Sequence, residues 1–333
     1  MILDPEQITV SENGHDGGVP VSFTPSQAGL YQVSATFRGK HLQGSPFGVE
    51  VVGWLVYRRD YNQVSDQPDG RLLAGADEGF LFAPSSVACN SRGEILVTDN
   101  NNDHILVFDQ GGELLFKIGS CGDQNGQLRS PEGVTVDQRN NNQILVTDAV
   151  NNRIQIFDEH GAFLQSFGSY GQGDGQLCCP CVVLADPQGN YVVSDHNNHR
   201  IQIFNSQGQF LRKFGSEGTK RGQLKGPVGL GLLSNGNIVV SEYEGNRLQI
   251  FDSQGNFVRI VGDGDVEYPE QLFVDSDDNI LVADFGNNLI QVFHQDGTHI
   301  KSIGIGQLSQ PRGVCMDGEG RILVIEGDSV SFF

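Results

Sequence analysis

The sequence predicts an all-β protein, a six-bladed β-propeller closed by an outer strand taken from its N-terminal side. Three observations predict it. A unit recurs from Pro84, Pro131, Pro180, Pro227, Pro269 and Pro311, at spacings of 47, 49, 47, 42 and 42 residues, and a period of that length marks a propeller or a similar array. Each complete unit holds four short runs of alternating apolar and polar residues with turn residues between them. No window shows a long helical period, and four-stranded units repeated radially make a propeller.

The elements follow in order within one unit. "GVTVD" (133–137), mostly apolar, is the first strand and "QILVTD" (143–148) the second. "RIQIFD" (153–158) is the third and "AFLQSFG" (162–168) the fourth. The turns "DEHG", "NSQG", "DSQG" and "HQDG" join strands three and four, with glycine supplying positive φ. The copy from Pro311 has three strands and ends at Phe333. Its missing outer strand is found at 70–84, "GRLLAGADEGFLFAP", which aligns with "GELLFKIGSCGDQNGQLRSP" at 112–131. That strand completes the sixth blade, so no sheet edge is left open.

Residues 70–333 are therefore the propeller, 53–69 a linker in which Trp54 and Tyr57 are available to pack on the ring, and 1–52 a separate segment. With 38% hydrophobic residues in 333, the chain can build a large core. No run of about 18 apolar residues is present, so no membrane span is expected. "MILDPEQ" lacks the basic and apolar regions of a secretory signal. The six cysteines form no zinc-finger spacing or evident disulfide framework. Reduced thiols and a cytoplasmic location are expected. The net charge of −20 opposes contact with phosphate backbones unless basic residues are concentrated locally.

Phe23 to Val52, "FTPSQAGLYQVSATFRGKHLQGSPFGVEVV", resembles the C-terminal half of a filamin-type immunoglobulin-like repeat. The first strands of such a sandwich are missing from the pattern, which predicts a partial sandwich that leans on another surface. Ser194 to Pro227, "SDHNNHRIQIFNSQGQFLRKFGSEGTKRGQLKGP", resembles the blade signature of NHL repeats. A filamin-type repeat followed by an NHL propeller resembles the C-terminal part of the TRIM-NHL family. That resemblance implies a recognition module. In the family, ubiquitin-ligase chemistry belongs to an upstream RING and oligomerisation to a coiled coil. Some members bind single-stranded or hairpin RNA on the propeller's top face, and others bind proteins.

The top face is built from the residues after each unit's proline and after the acid that ends each second strand. The first set is Ser85, Glu132, Cys181, Val228, Glu270 and Arg312; the second is Asn100, Ala149, His196, Tyr243, Phe285 and Gly327. His196, Tyr243, Phe285, Arg312, Asn100, Glu132 and Glu270 are the candidate ligand contacts. Tyr243, Phe285 and His196 suit base stacking, but two acids against one arginine make a thin basic funnel. Arg212, Lys213, Lys220, Arg221 and Lys225 form one basic cluster, of which Lys220, Arg221 and Lys225 are candidate phosphate contacts. A protein ligand and an RNA ligand both remain open, the charge favouring protein, in a module that would deliver its ligand to a ubiquitin-ligase or repression complex.

Catalysis is not expected, and no cofactor motif is present. The recurrent acids Asp99, Asp148, Asp195, Glu242, Asp284 and Glu326 read as structural, each satisfying backbone N–H groups of the following turn. Arg153, Arg200 and Arg247 are placed to pair with them. "DHNNHRIQIF" (195–204) offers two histidines and an aspartate, as a metal site would. Its alignment with the sister units assigns His199 to a turn, beside His104, Asn152, Asn246 and Asn288. The enzymatic alternative, a metal-dependent propeller hydrolase or lyase, would need several ligands converging on the channel, and only His196 stands there.

Overall fold

The structure is a computed structural model that describes residues 81–333 in full and, before them, only the backbone of strands 8–10, 21–23, 36–37, 40–41 and 70–72. The chain divides into two compact units, Met1–Arg59 and Asp60–Phe333. In the first, Ile8–Val10 pairs antiparallel with Val21–Phe23, and Thr36–Phe37 with Lys40–His41. The partial filamin-type sandwich and the 53–69 linker otherwise lie outside the described residues.

The second unit is a six-bladed propeller of four-stranded antiparallel sheets. The first strands of blades 1 to 5 are Pro84–Cys89, Pro131–Asp137, Pro180–Ala185, Pro227–Leu232 and Pro269–Val274, and blade 6 starts with Val314–Met316. Within each blade the strands follow one another outward. Blade 3 shows the plan: Pro180–Ala185, Tyr191–Asp195, Arg200–Phe204 and Phe210–Phe214. Its second and third strands are buried on both faces, while the outer strand alternates. The third strand of each of the first five blades buries a phenylalanine completely: Phe108, Phe157, Phe204, Phe251 and Phe293. These rings pack between adjacent blades, as Phe204 does on Phe167 at 4.9 Å and Phe251 on Phe214 at 4.8 Å.

Blade 6 closes as the repeat predicts. Gly70–Leu72 pairs antiparallel with Ser329–Phe332, joining Phe332 to Gly70 and Val330 to Leu72. The fourth strand of the last sheet thus precedes the first blade in the chain.

Two sets of side chains tie neighbouring blades at one face. After each starting proline of blades 1 to 5 the ladder is interrupted before pairing resumes three residues on. In blades 2 to 4 a hydroxyl of the second strand serves the interruption. Thr147 accepts from Gly133 N–H at 2.7 Å and donates to the Cys181 carbonyl of the next blade at 2.9 Å. Ser194 joins Val182 N–H to the Val228 carbonyl in the same way, and Ser241 joins Gly229 N–H to the Glu270 carbonyl. Such bulges re-aim a side chain, and here they carry Glu132, Cys181, Val228 and Glu270 to the channel mouth. Gly229 must remain glycine, because a Cβ there would lie 2.7 Å from the Glu270 carbonyl oxygen and 2.9 Å from Leu272 N. Gly229→Ala is expected to cost roughly 2 kcal/mol or more by overpacking, read as a lower urea midpoint.

The second set runs round the whole ring. The residue before each unit's starting proline donates its backbone N–H to a side chain in the preceding blade. The pairs are Ser130 to Asp103, Cys179 to Asn152, Gly226 to His199, Tyr268 to Asn246, Gln310 to Asn288 and, at the closure, Ala83 to Asp328. The acceptors from Asp103 to Asn288 have positive φ, which Asn and Asp tolerate better than most residues.

Candidate functional site

The twelve top-face positions predicted from the repeat include two groups that the structure brings together. The first lies at the channel mouth. Glu132 and Glu270 stand on blades 2 and 5, opposite each other in a six-bladed ring, and Gln271 Nε2 reaches the Glu132 carbonyl across it at 3.5 Å. Burial pushes the Glu132 carboxyl up, opposed by the Arg312 charge and by a hydrogen bond from Asn100 Nδ2. Burial and then the Glu132 charge push Glu270 up to about 7, again opposed by Arg312. Glu270 keeps some surface open to the channel, and no described residue donates a hydrogen bond to its carboxylate. Cys181 faces the same two carboxylates, and its thiol is raised well above the ordinary range, chiefly by burial.

The second group is an aromatic wall beside that mouth. Tyr243 and Phe285 meet edge to face with centroids 6.2 Å apart. Tyr268, 41% exposed, packs on Tyr243 at 5.1 Å. The Arg312 guanidinium lies 5.7 Å from the Phe285 ring centre, a cation–π contact. Arg312 is anchored through its backbone, donating N–H to the Ile325 carbonyl and accepting from Gln271 N–H. It therefore joins the aromatic wall to the carboxylates. A recess of about 430 Å³, lined by Arg312, Gln310, Ser309, Ala83, Glu326 and Asp328, continues the mouth toward blade 6.

Tyr268 was not among the candidates from sequence. The signal was available: it immediately precedes Pro269, the position that is Ala83, Ser130, Cys179, Gly226 and Gln310 in the other blades, all with positive φ. A tyrosine at φ 49° is costlier than the glycine of blade 4, and the Asn246 hydrogen bond holds it there at 2.8 Å.

The remaining candidates are scattered. His196 sits between blades 3 and 4, its Nδ1–H donating to the Pro227 carbonyl at 3.2 Å, and burial lowers its pKa despite that bond. Asn100 Oδ1 accepts from Ser130 Oγ at 2.8 Å while its amide serves Glu132. Four of the five residues of the basic cluster are engaged within the protein. Arg221 lies 5.9 Å from the Phe257 ring centre, Lys213 pairs with Asp174 at 2.6 Å, and Lys225 stands 3.8 Å from Glu244. Arg212 donates to the Ser253 carbonyl. Lys220 is exposed.

The "DHNNHRIQIF" stretch holds the blade together. Buried Asp195 accepts from Cys178 N–H at 2.7 Å, Asn198 Nδ2 at 2.9 Å, Arg200 Nε at 2.7 Å and Gln202 Nε2 at 3.0 Å. Asp148 and Glu242 repeat the pattern with Arg153 and Arg247. Two sequence expectations are corrected. The backbone N–H on each acid comes from the loop 17 to 19 residues upstream, as with Cys178, and in blades 1, 2, 3 and 5 the following turn contributes an asparagine side chain instead. His104 is the counterpart of Arg200, not of His199: it lies opposite Asp99 and pairs with it at 3.0 Å, as Arg200 lies opposite Asp195. Blade 1 has Asp103 in the His199 position. Among the described residues no group of three or more His, Cys, Asp or Glu side chains is arranged to hold a metal ion.

Comparison with known proteins matches the NHL repeat profile at residues 128–157, 177–204, 224–251 and 267–293. The protein brain tumor of Drosophila melanogaster is 42% identical over 62 residues, 19% of this chain and 6% of that protein. The E3 ubiquitin-protein ligase TRIM71 of Rattus norvegicus is 33% identical over 102 residues, 31% of this chain and 12% of that one. The matched stretches thus span only 6 to 12% of the lengths of these curated relatives. A gluconolactonase of Xanthomonas campestris superposes with a TM-score of 0.61 over 80% of this chain and 94% of that one at 14% identity, a likeness of fold alone.

Proposed function

The chain belongs to the TRIM-NHL family, and from that premise we propose that its NHL propeller is a non-catalytic recognition module that binds a protein ligand at the top-face mouth. The observation that carries this reading is the continuous site of Tyr268, Tyr243, Phe285 and Arg312 running into the opposed carboxylates of Glu132 and Glu270. Aromatic and arginine side chains at the centre of a concave surface are the usual anchors of protein interfaces. Two carboxylates against one guanidinium favour a ligand that presents a basic side chain there.

The charge pattern argues for protein over RNA. Four of the five clustered basic residues are engaged by a carboxylate, a carbonyl or a ring of the protein itself, and a phosphate backbone would face buried acids at the mouth. By analogy with relatives named as ubiquitin ligases, the ligand would be delivered to a ligase or repression complex. Selection of a displayed random-peptide library on the propeller tests the reading. Selected peptides are expected to lose at least tenfold in affinity when Tyr243 is changed to Ala, a loss of about 1.4 kcal/mol. A random RNA pool bound tightly at low salt, with affinity falling steeply as salt rises, would favour the nucleic-acid reading instead.

A further inference from the structure

The ring closes between blades 6 and 1, and a pair of thiols stands at that joint. Cys89 ends the first strand of blade 1, and Cys315 lies in the first strand of blade 6. Their sulfurs are 3.7 Å apart although 226 residues separate them in the chain. A disulfide needs about 2.05 Å, so a rotation of the side chains with a small approach of the strands joins them. Both thiols line the central channel, in a cavity of about 280 Å³ wide enough for a small oxidant. Cys89 is the more open of the two and Cys315 is buried. The places that correspond to Cys89 hold Val136, Ala185, Leu232 and Val274 in other blades, and those that correspond to Cys315 hold Ala88, Thr135, Leu184, Gly231 and Phe273, so the repeat does not require sulfur at either.

We propose that Cys89 and Cys315 are an oxidation site whose reversible disulfide staples the last blade to the first. With hydrogen peroxide as oxidant, the Cys89 thiolate attacks one peroxide oxygen and the O–O bond breaks. Hydroxide leaves and takes up the proton that Cys89 released, giving water and a sulfenic acid. The Cys315 sulfur then attacks the Cys89 sulfur, the S–O bond breaks, and the departing hydroxide takes the Cys315 proton as a second water. Two thiols are oxidised to one disulfide and one peroxide is reduced to two waters. A dithiol reductant reverses the change. The hydrogen bond with Cys89 and then burial raise the Cys315 thiol well above its ordinary range, and Cys89 is the more open of the two, so Cys89 is the first sulfur to react.

The staple would act in parallel with the short closing strand Gly70–Leu72 and the Ala83–Asp328 hydrogen bond. It would close a long loop of the unfolded chain, the case in which a cross-link is expected to stabilise most. The test is peroxide titration of the full chain, followed by non-reducing peptide mapping and thermal unfolding. One peptide pair joining Cys89 to Cys315 is expected to dominate, with free thiols falling from six to four. The midpoint should rise by several degrees, return on adding dithiothreitol, and stay fixed in Cys89→Ser. Dominant cross-links among Cys178, Cys179 and Cys181, or persistence of Cys89 and Cys315 as thiols after the exposed Cys121 has reacted, would overturn the proposal. Mapping is done on the unaltered chain, so its outcome does not depend on a variant folding.

Discussion

Replacing Glu270 with Gln is expected to stabilise the propeller by on the order of 3 kcal/mol at pH 8 and by only about 1 kcal/mol at pH 5. The folded carboxyl titrates near 7 because burial and the facing Glu132 oppose its charge, whereas in the unfolded chain it titrates near the ordinary glutamate value of about 4.3. Between those values the folded state holds more protons than the unfolded one. The contribution of this group to stability is therefore full below the unfolded value and is lost as pH rises through 7. Glutamine keeps the shape of the neutral acid and removes the charge. Urea unfolding of both proteins at pH 5 and pH 8 gives the difference directly. Equal stabilities at pH 8 would mean that Glu270 is well solvated or paired, and the mouth would lose its description as a charge-strained site.

Asp195→Ala is expected to cost about 3–5 kcal/mol, the usual penalty for removing one partner of a buried ion pair. The substitution leaves the Arg200 guanidinium, 6% exposed, with no carboxylate at Nε, and strips the Cys178 N–H of its acceptor. Exchanging the pair together for apolar residues should cost much less than removing either partner alone, because no buried charge is then stranded. A double-mutant cycle with Arg200→Met measures that difference. If Asp195 served a metal or a ligand instead, Asp195→Ala would spare stability and abolish a metal-dependent signal.

The fold was legible in the sequence because each of its parts repeats. Six copies make the prolines, the strand-ending acids and the glycine turns visible, and the absent strand of the last copy reveals the closure by Gly70–Leu72. The positions of the top face followed from the same register. What each residue does there was less legible, because repeats record only what the blades share. The backbone partners of the acids lie 17 to 19 residues upstream and become neighbours only once the blade forms. Tyr268 escaped notice because its contact with Tyr243 crosses from the loop of one blade to that of another. The opposition of Glu132 and Glu270 depends on ring geometry, which spacing along the chain does not display. The pairing of Cys89 with Cys315 joins the first and last blades and is likewise invisible until the ring closes.

The central claim is that a protein ligand docks on the aromatic wall at the top face. Site-specific photocross-linking tests it most directly. A benzophenone amino acid replaces the exposed Tyr268, and in a control it replaces Gln254 in the turn at 252–256 on the opposite face. After irradiation in cells, docking on this wall predicts discrete adducts at 268 that are destroyed by protease, resist nuclease, and are absent at 254. Nuclease-sensitive adducts at 268, or equal protein adducts at both positions, would contradict it.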